Sequence, residues 1–301
     1  MTGDDLRRTR LDGLAVGLLV LCCVVWGLNQ VAAKVALADF APFTQAALRS
    51  IGAALLVLGW ARWRGIALFD RDRTLRAGVV AGVLFAGEFA CIFVGLQFTT
   101  ASRMVVFIYL SPFVVALGMP LVARGERLAP SQWAGLAAAF AGVAWAFAEG
   151  FMPAALGGPR QWLGDALGLA AALLWGATTL VIRATRLSSA PPEKTLLYQL
   201  AVSGLLLALA VPLAGEGWPP VPRALSVASL GFQTVVVTFA SYLTWFWLVR
   251  HYPATRIAAF TLLTPVAGLA AGVVLLSEPL TLRLAVALVA VVIGLAIVNR
   301  R

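Results

Sequence analysis

Residues 82–96 read GVLFAGEFACIFVGL, and only Glu88 among these fifteen residues carries a charge. Counted from Arg76 at ~1.5 Å per helical residue, Glu88 lies about 18 Å along its helix. That is near the middle of a ~30 Å hydrocarbon core. An ionised carboxylate there costs roughly 2.5–3.5 kcal/mol on insertion scales. The side chain is therefore neutral, paired with a base, or turned to a water-filled cavity. Arg49 is the base within reach. Counted from Pro42 it lies about 10 Å deep from the opposite side, leaving ~6 Å of depth between the two groups. A structural ion pair and a substrate or proton contact both account for such a couple, and both stay open.

Other polar and aromatic residues fall at similar depth. Trp26 and Trp175 count to mid-membrane, although tryptophan normally prefers the interfaces. They are candidate walls of a site for an apolar or amphipathic substrate, and equally candidates for packing. Asn29, Tyr109, Thr178, Thr179, Tyr198, Gln199, Phe239, Tyr242 and Trp245 complete the candidates, with about half expected to face a cavity. An aromatic pocket with few charges suits a zwitterionic or neutral amino acid. It suits a phosphorylated sugar nucleotide badly, because phosphates need clustered bases. Pro112 and Pro265 sit inside apolar runs. Each removes a backbone donor and frees the carbonyl four residues earlier, at Ile108 and Thr261. The kinks that result serve as gates or as fixed bends.

The chemistry of an enzyme is missing. His251 is the single histidine and is expected at a helix end, so no Ser-His pair forms at membrane depth. No paired intramembrane aspartates and no Walker-type glycine loop occur. Cys22, Cys23 and Cys91 lie in apolar runs, an odd count that fits packing better than disulfides or a metal site. No cofactor or metal is implied.

These residues must be positioned by membrane helices. The chain has 301 residues, 61% hydrophobic and 12% charged, against ~25% charged in soluble domains. Apolar runs recur from end to end and predict ten transmembrane helices, at 13–37, 42–61, 76–99, 102–122, 131–149, 162–185, 193–214, 224–249, 254–276 and 280–299. The first run follows a basic start but is too long for a signal peptide and lacks a small-residue cleavage site.

Ten helices put both termini on one side. Placing that side in the cytoplasm puts 17 Lys and Arg inside: Arg7, Arg8, Arg10, the five of RWRGIALFDRDRTLR, and Arg124, Arg127, Arg183, Arg186, Lys194, Arg250, Arg256, Arg300 and Arg301. Five lie outside: Lys34, Arg103, Arg160, Arg223 and Arg283. The positive-inside rule selects this orientation. The net charge of +10 is thus a topological signal that also meets anionic lipid heads, not a nucleic-acid surface.

The chain also repeats itself. WGLNQVAAK at Trp26–Lys34 echoes WGATTLVIR at Trp175–Arg183, and TTASRMVVFIYLSP at Thr99–Pro112 echoes YPATRIAAFTLLTP at Tyr252–Pro265. Glu126 and Glu278 follow, each with Leu two residues and Gly sixteen residues later. These echoes predict two five-helix halves, 1–150 and 151–301, joined near FMPAALGGPRQW. Because five is odd, the second half enters the membrane from the opposite side. Such inverted repeats are common in alternating-access carriers, though duplication also builds static bundles. The repeat relates Glu88 to Ser241 and Arg49 to roughly Gln199, both polar and uncharged. Gly78-x-x-x-Gly82 and Gly268-x-x-x-Gly272 permit close helix contact.

The Trp-Gly motifs, the base ending the first helix, the Ala-Ser-Arg…Ser-Pro…Gly-Glu-Arg-Leu run at 101–128 and its second copy ending Ser-Glu-Pro-Leu at 277–280 carry a resemblance. The chain resembles the drug/metabolite transporter superfamily in its ten-helix EamA branch, and in layout the YddG-type amino-acid exporters. The resemblance covers nearly the whole chain. It implies an inner-membrane carrier, active as a monomer, that exports amino acids or related metabolites. Small multidrug members carry an acidic residue in their first helix, where this chain has Trp26, Asn29 and Gln30. Proton-coupled multidrug or other metabolite export is the alternative, and its protons would pass through Glu88.

Overall fold

In the computed structural model, residues 12–70, 72–122, 129–152, 158–217, 221–252 and 260–298 are described. Arg7, Arg8, Arg10, Arg71, Arg124, Glu126, Arg127, Arg256, Arg300 and Arg301 lie outside them, as does 153–157 of the expected junction. The described residues are helical throughout, with no strand. Successive helices are α1 Gly13–Ala36, α2 Pro42–Trp63, α3 Leu75–Gly95, α4 Ala101–Ile108, α5 Ser111–Val122 and α6 Pro130–Glu149. They continue with α7 Gln161–Ala184, α8 Pro192–Leu213 and α9 Ala224–Gly231. A π-helical segment, Phe232–Ser241, leads into α10 Tyr242–His251, and α11 Leu263–Leu276 and α12 Leu282–Val298 complete the order. Proline at the first turn starts α2, α6 and α8, where its missing N–H costs nothing.

Among the described residues seven stretches are long and apolar enough to cross a membrane: α1, α2, α3, α4 with α5, α7, α8, and α9 through Leu248. To these are added the 20-residue, alanine-rich α6 and the shorter apolar helices α11 and α12. Apolar side chains cover the outside, with Leu121 90% and Leu213 87% exposed, while Arg49, Gln45, Gln233 and Asp165 are fully buried. The polarity of a soluble protein is turned inside out, as lipid demands.

Two expected helices differ in form. The run at 102–122 is broken by a turn at Tyr109–Leu110, and α5 restarts with Pro112 in its first turn. A matching turn at Thr261–Leu262 precedes Pro265 in α11. Both prolines therefore sit just after a break instead of inside a bent helix, the position where a missing N–H is tolerated. The run at 224–249 is one rod with π geometry in the middle. There Thr238 Oγ1 donates to the carbonyl of Gln233, five residues back.

Helix pairs recur when the halves are exchanged. The packing of α1 on α11 matches that of α7 on α4 and α5. That of α3 on α7 matches that of α1 on α9 and the π segment, while α2 on α8 and α6 on α12 map onto themselves. Small residues make the seams. A Cβ on Gly27 would fall 2.6 Å from the backbone nitrogen of Gly268, so α1 and α11 touch through their backbones. Gly78 and Gly82 seat Tyr198 and Val202 of α8, and Gly268 and Gly272 seat Val105 and Ser102 of α4. Both glycine motifs thus serve contacts inside the chain.

Candidate substrate site

The centre is built from α1 outward. Trp26 Nε1 donates to Ser241 Oγ at 2.8 Å. Its ring meets Trp245 edge-on at 5.0 Å and Tyr242 at 6.3 Å. Ser241 ends the π segment and donates onward to the carbonyl of Val237. The wide π turn thereby brings a hydroxyl of the second half against an indole of the first. Tyr109 and Trp175 form a second edge-on pair at 5.8 Å. Trp175 packs against both large apolar clusters, and so joins the two sides of the bundle.

One helical turn beyond Trp26, Asn29 and Gln30 are buried, and neither Asn29 Oδ1 nor Gln30 Oε1 has a partner among the described residues. Gln45 on α2 donates to the carbonyl of Ala33 and to Gln233 Oε1, both at 3.2 Å, while its own Oε1 stays unpartnered. Arg49, one turn further, is 0% exposed. Its guanidinium carbon lies 3.6 Å from the Phe89 ring centroid and 5.7 Å from that of Phe93. None of its three nitrogens donates to a described residue. Glu88 is 5% exposed and its Oε2 is likewise unpartnered. Ser50 Oγ on α2 is also unpartnered, and Thr264 Oγ1 on α11, which makes no hydrogen bond of good geometry, lies beside Cys23 and Tyr109. Native interiors leave few buried polar atoms without a bond; those found here fall on α1, α2, α3 and α11.

The Glu88–Arg49 ion pair, one of the sequence readings, does not form. No hydrogen bond or ion-pair contact joins the two groups. Arg49 is held instead on the face of Phe89, one residue after Glu88.

The other candidates divide. Tyr242 and Trp245 contact Trp26, Tyr109 pairs with Trp175, and Asn29 is buried one turn beyond Trp26. Thr178 is buried and its hydroxyl bonds back to the carbonyl of Leu174; Thr179 does the same to Trp175. Gln199 is buried on α8, its Nε2 3.5 Å from the carbonyl of Thr195. Phe239 meets Trp60 edge-on at 6.3 Å. Tyr198 is misplaced by the sequence reading. Its hydroxyl lies 3.3 Å from Thr74 Oγ1 at the start of α3, away from the centre, because helical side chains lean toward their own N-terminus. Ser241, Gln45, Ser50 and Thr264 were not candidates at all; the repeat's pairing of Ser241 with Glu88 was the available signal for one of them.

Charged contacts fasten the bundle at both ends. At the end where α1 finishes, Lys34 Nζ donates to the carbonyl of Leu96 at 2.7 Å and to that of Thr99. Glu278 accepts from the amides of Ala101 and Ser102 at 2.7 and 2.8 Å, capping α4 from the other half. Arg103 is gripped by Asp165 at 2.6 Å and Glu149 at 2.8 Å, and all three are largely buried. Glu216 caps α2 through the amides of Phe43 and Thr44. At the opposite end Tyr252 donates to Asp12 at 2.9 Å, and Lys194 meets Asp72 at 2.8 Å. The Lys194 ammonium, with help from the Thr74 hydroxyl, holds the Asp72 carboxyl well below the usual carboxylate range. Among the described residues no cluster of His, Cys, Asp and Glu could hold a metal ion.

An all-helical chain with an apolar exterior and a polar, partly unpartnered interior is a multi-pass membrane protein, and its relatives say which kind. The model of the EamA-like transporter family matches twice, over residues 13–148 and 162–300. The chain belongs to that family, within the drug/metabolite transporter superfamily, and is a transporter and not an enzyme. It is 30% identical over 281 residues to a probable amino-acid metabolite efflux pump of Salmonella typhimurium, covering 91% of this chain and 89% of that protein. A protein of the same name in Escherichia coli is 28% identical with the same coverage. An uncharacterized transporter of Bacillus subtilis, YvbV, is 26% identical over 94% of this chain and 91% of its own. A solved structure superposes with a TM-score of 0.64 at 21% identity, covering 95% of this chain and 96% of that one, which supports the fold.

Proposed function

We propose that this protein is an inner-membrane secondary transporter that exports amino acids or related small metabolites by alternating access through a central site. The observation that carries the reading is the set of buried polar atoms without partners on α1, α2, α3 and α11, beside an aromatic wall of Trp26, Tyr242 and Trp245. A static bundle gains nothing from leaving Arg49 and Glu88 unbonded, since each such group costs its desolvation. A carrier gains a place for a small polar molecule. The names of the Salmonella typhimurium and Escherichia coli relatives agree with this substrate class.

In this reading ten helices cross the membrane as two inverted halves, 1–150 and 151–301, with both termini in the cytoplasm. The recurrence of helix pairs on exchange of the halves supports it. The contacts at the two ends, Arg103–Asp165 and Glu278 at one and Asp12–Tyr252 at the other, loosen in turn to open the site to either side. In this reading one chain suffices for transport. Anionic lipid heads settle by Arg73, Arg76 and Arg186, which line an open cleft of about 850 Å³ between the start of α3 and the end of α7. A second reading, proton-coupled export of drugs or other metabolites, draws on the buried Glu88.

Efflux from proteoliposomes loaded with a mixed pool of labelled amino acids tests the proposal. Selective, saturable efflux above protein-free vesicles is expected. Folded protein that moves none of them refutes amino-acid export and leaves the second reading.

A further inference from the structure

Arg49 is the most demanding group in the molecule. It is 0% exposed, lies among the apolar residues of the larger cluster, and donates no hydrogen bond to any described residue. A guanidinium keeps its proton in proteins, so the positive charge is real. The Phe89 face at 3.6 Å attracts it, but an aromatic ring accepts none of its five N–H groups in their own plane. Those donors form a planar fork that fits a carboxylate through two parallel hydrogen bonds. One residue before Phe89, Glu88 carries an oxygen without a donor. Arg49 thus sits over the residue next to Glu88, yet no hydrogen bond joins the two groups. A forked donor and an acceptor, held apart and each unpartnered, are complementary to a molecule that has both charges on adjacent atoms.

We propose that Arg49 receives the α-carboxylate of the transported molecule and Glu88 its ammonium group, which makes the substrates zwitterionic α-amino acids with apolar or aromatic side chains. This rests on the exporter reading and sharpens it. Tyr242 packs on the apolar cluster that contains Phe89, and through its edge contact with Trp26 the site continues to Trp245, where a side chain would stack. Amines without a carboxylate, the usual form of a cationic drug, leave Arg49 unpaired and are poor substrates.

The test uses the full chain with three probes: L-phenylalanine, L-phenylalaninamide, which lacks the carboxylate, and 3-phenylpropanoate, which lacks the ammonium. Wild-type proteoliposomes are expected to export phenylalanine and to discriminate against the amide by at least about thirtyfold. Arg49→Met removes the fork while keeping an apolar stem. It is expected to lose phenylalanine export by a similar factor, with little change toward the amide. Arg49→Lys, a charge without a fork, should fall between them. Because Arg49 bonds to nothing, Arg49→Met should unfold at the same temperature as wild type or higher, whereas a structural arginine would lower it. Equal handling of phenylalanine and its amide by wild type, or export by Arg49→Met at the wild-type KM, overturns the assignment while leaving amino-acid export intact. If wild type exports no amino acid, thermal stabilisation of the solubilised protein decides. Protection by 3-phenylpropanoate that is lost in Arg49→Met upholds the carboxylate site though the exporter reading falls; no protection by any of the three probes overturns both.

Discussion

Among single residues, Arg49 and Glu88 carry the account, and both are buried. Depth can be read from sequence because an α-helix advances by a fixed rise. Orientation around the helix cannot, since it depends on neighbours distant in the chain. That is why the sequence left open whether the two groups pair, while the structure lays Arg49 on Phe89. The same gap misplaced Tyr198, whose side chain leans back to Thr74, and hid Gln45, Ser50 and Thr264. Glu88 also supports a prediction of its own. If protons drive export, they pass through this buried carboxyl, and Glu88→Gln should abolish the dependence of transport on an imposed pH gradient. Initial efflux rates with and without the gradient check this; an unchanged gradient response in the variant removes Glu88 from proton coupling.

At the scale of elements, the broken helices were half legible. Pro112 and Pro265 announced an interruption in each half, and both interruptions exist, as turns at Tyr109–Leu110 and Thr261–Leu262. The π segment at Phe232–Ser241 was not legible, because an apolar run reads alike at either helical period. It matters nonetheless, since it carries Ser241 to Trp26. The end contacts are also products of packing between distant elements. Arg103 was counted as an outer-side charge in the sequence, but it is buried between Asp165 and Glu149 and holds α4 to α7 and α6. Its removal strands the Asp165 carboxylate in the interior. Arg103→Ala is therefore expected to destabilise the protein by ~3–5 kcal/mol and to lower its unfolding temperature in detergent. Arg103→Lys should recover part of the loss, since a point charge remains without the fork. An Arg103→Ala protein as stable as wild type would show that this contact is incidental.

For the molecule as a whole, the class of fold was plain in composition alone, because a chain so apolar can satisfy its backbone in lipid only as helices or a closed barrel. The internal echoes pointed to two copies of one unit; the family model matches over 13–148 and again over 162–300. Substrate identity was not legible at any scale, because the polar residues proposed to meet a substrate come from α1, α2, α3 and α11 and have no shared motif. The central claim is that this bundle carries amino acids by exposing one site to each side in turn. Counterflow tests it most directly: proteoliposomes preloaded with unlabelled phenylalanine are diluted into a trace of labelled phenylalanine. A carrier of this kind should accumulate label transiently above equilibrium, saturably in the internal amino acid, and Arg49→Met should not. Label that enters no faster than in empty or protein-free vesicles, from protein shown to be folded, would contradict the account.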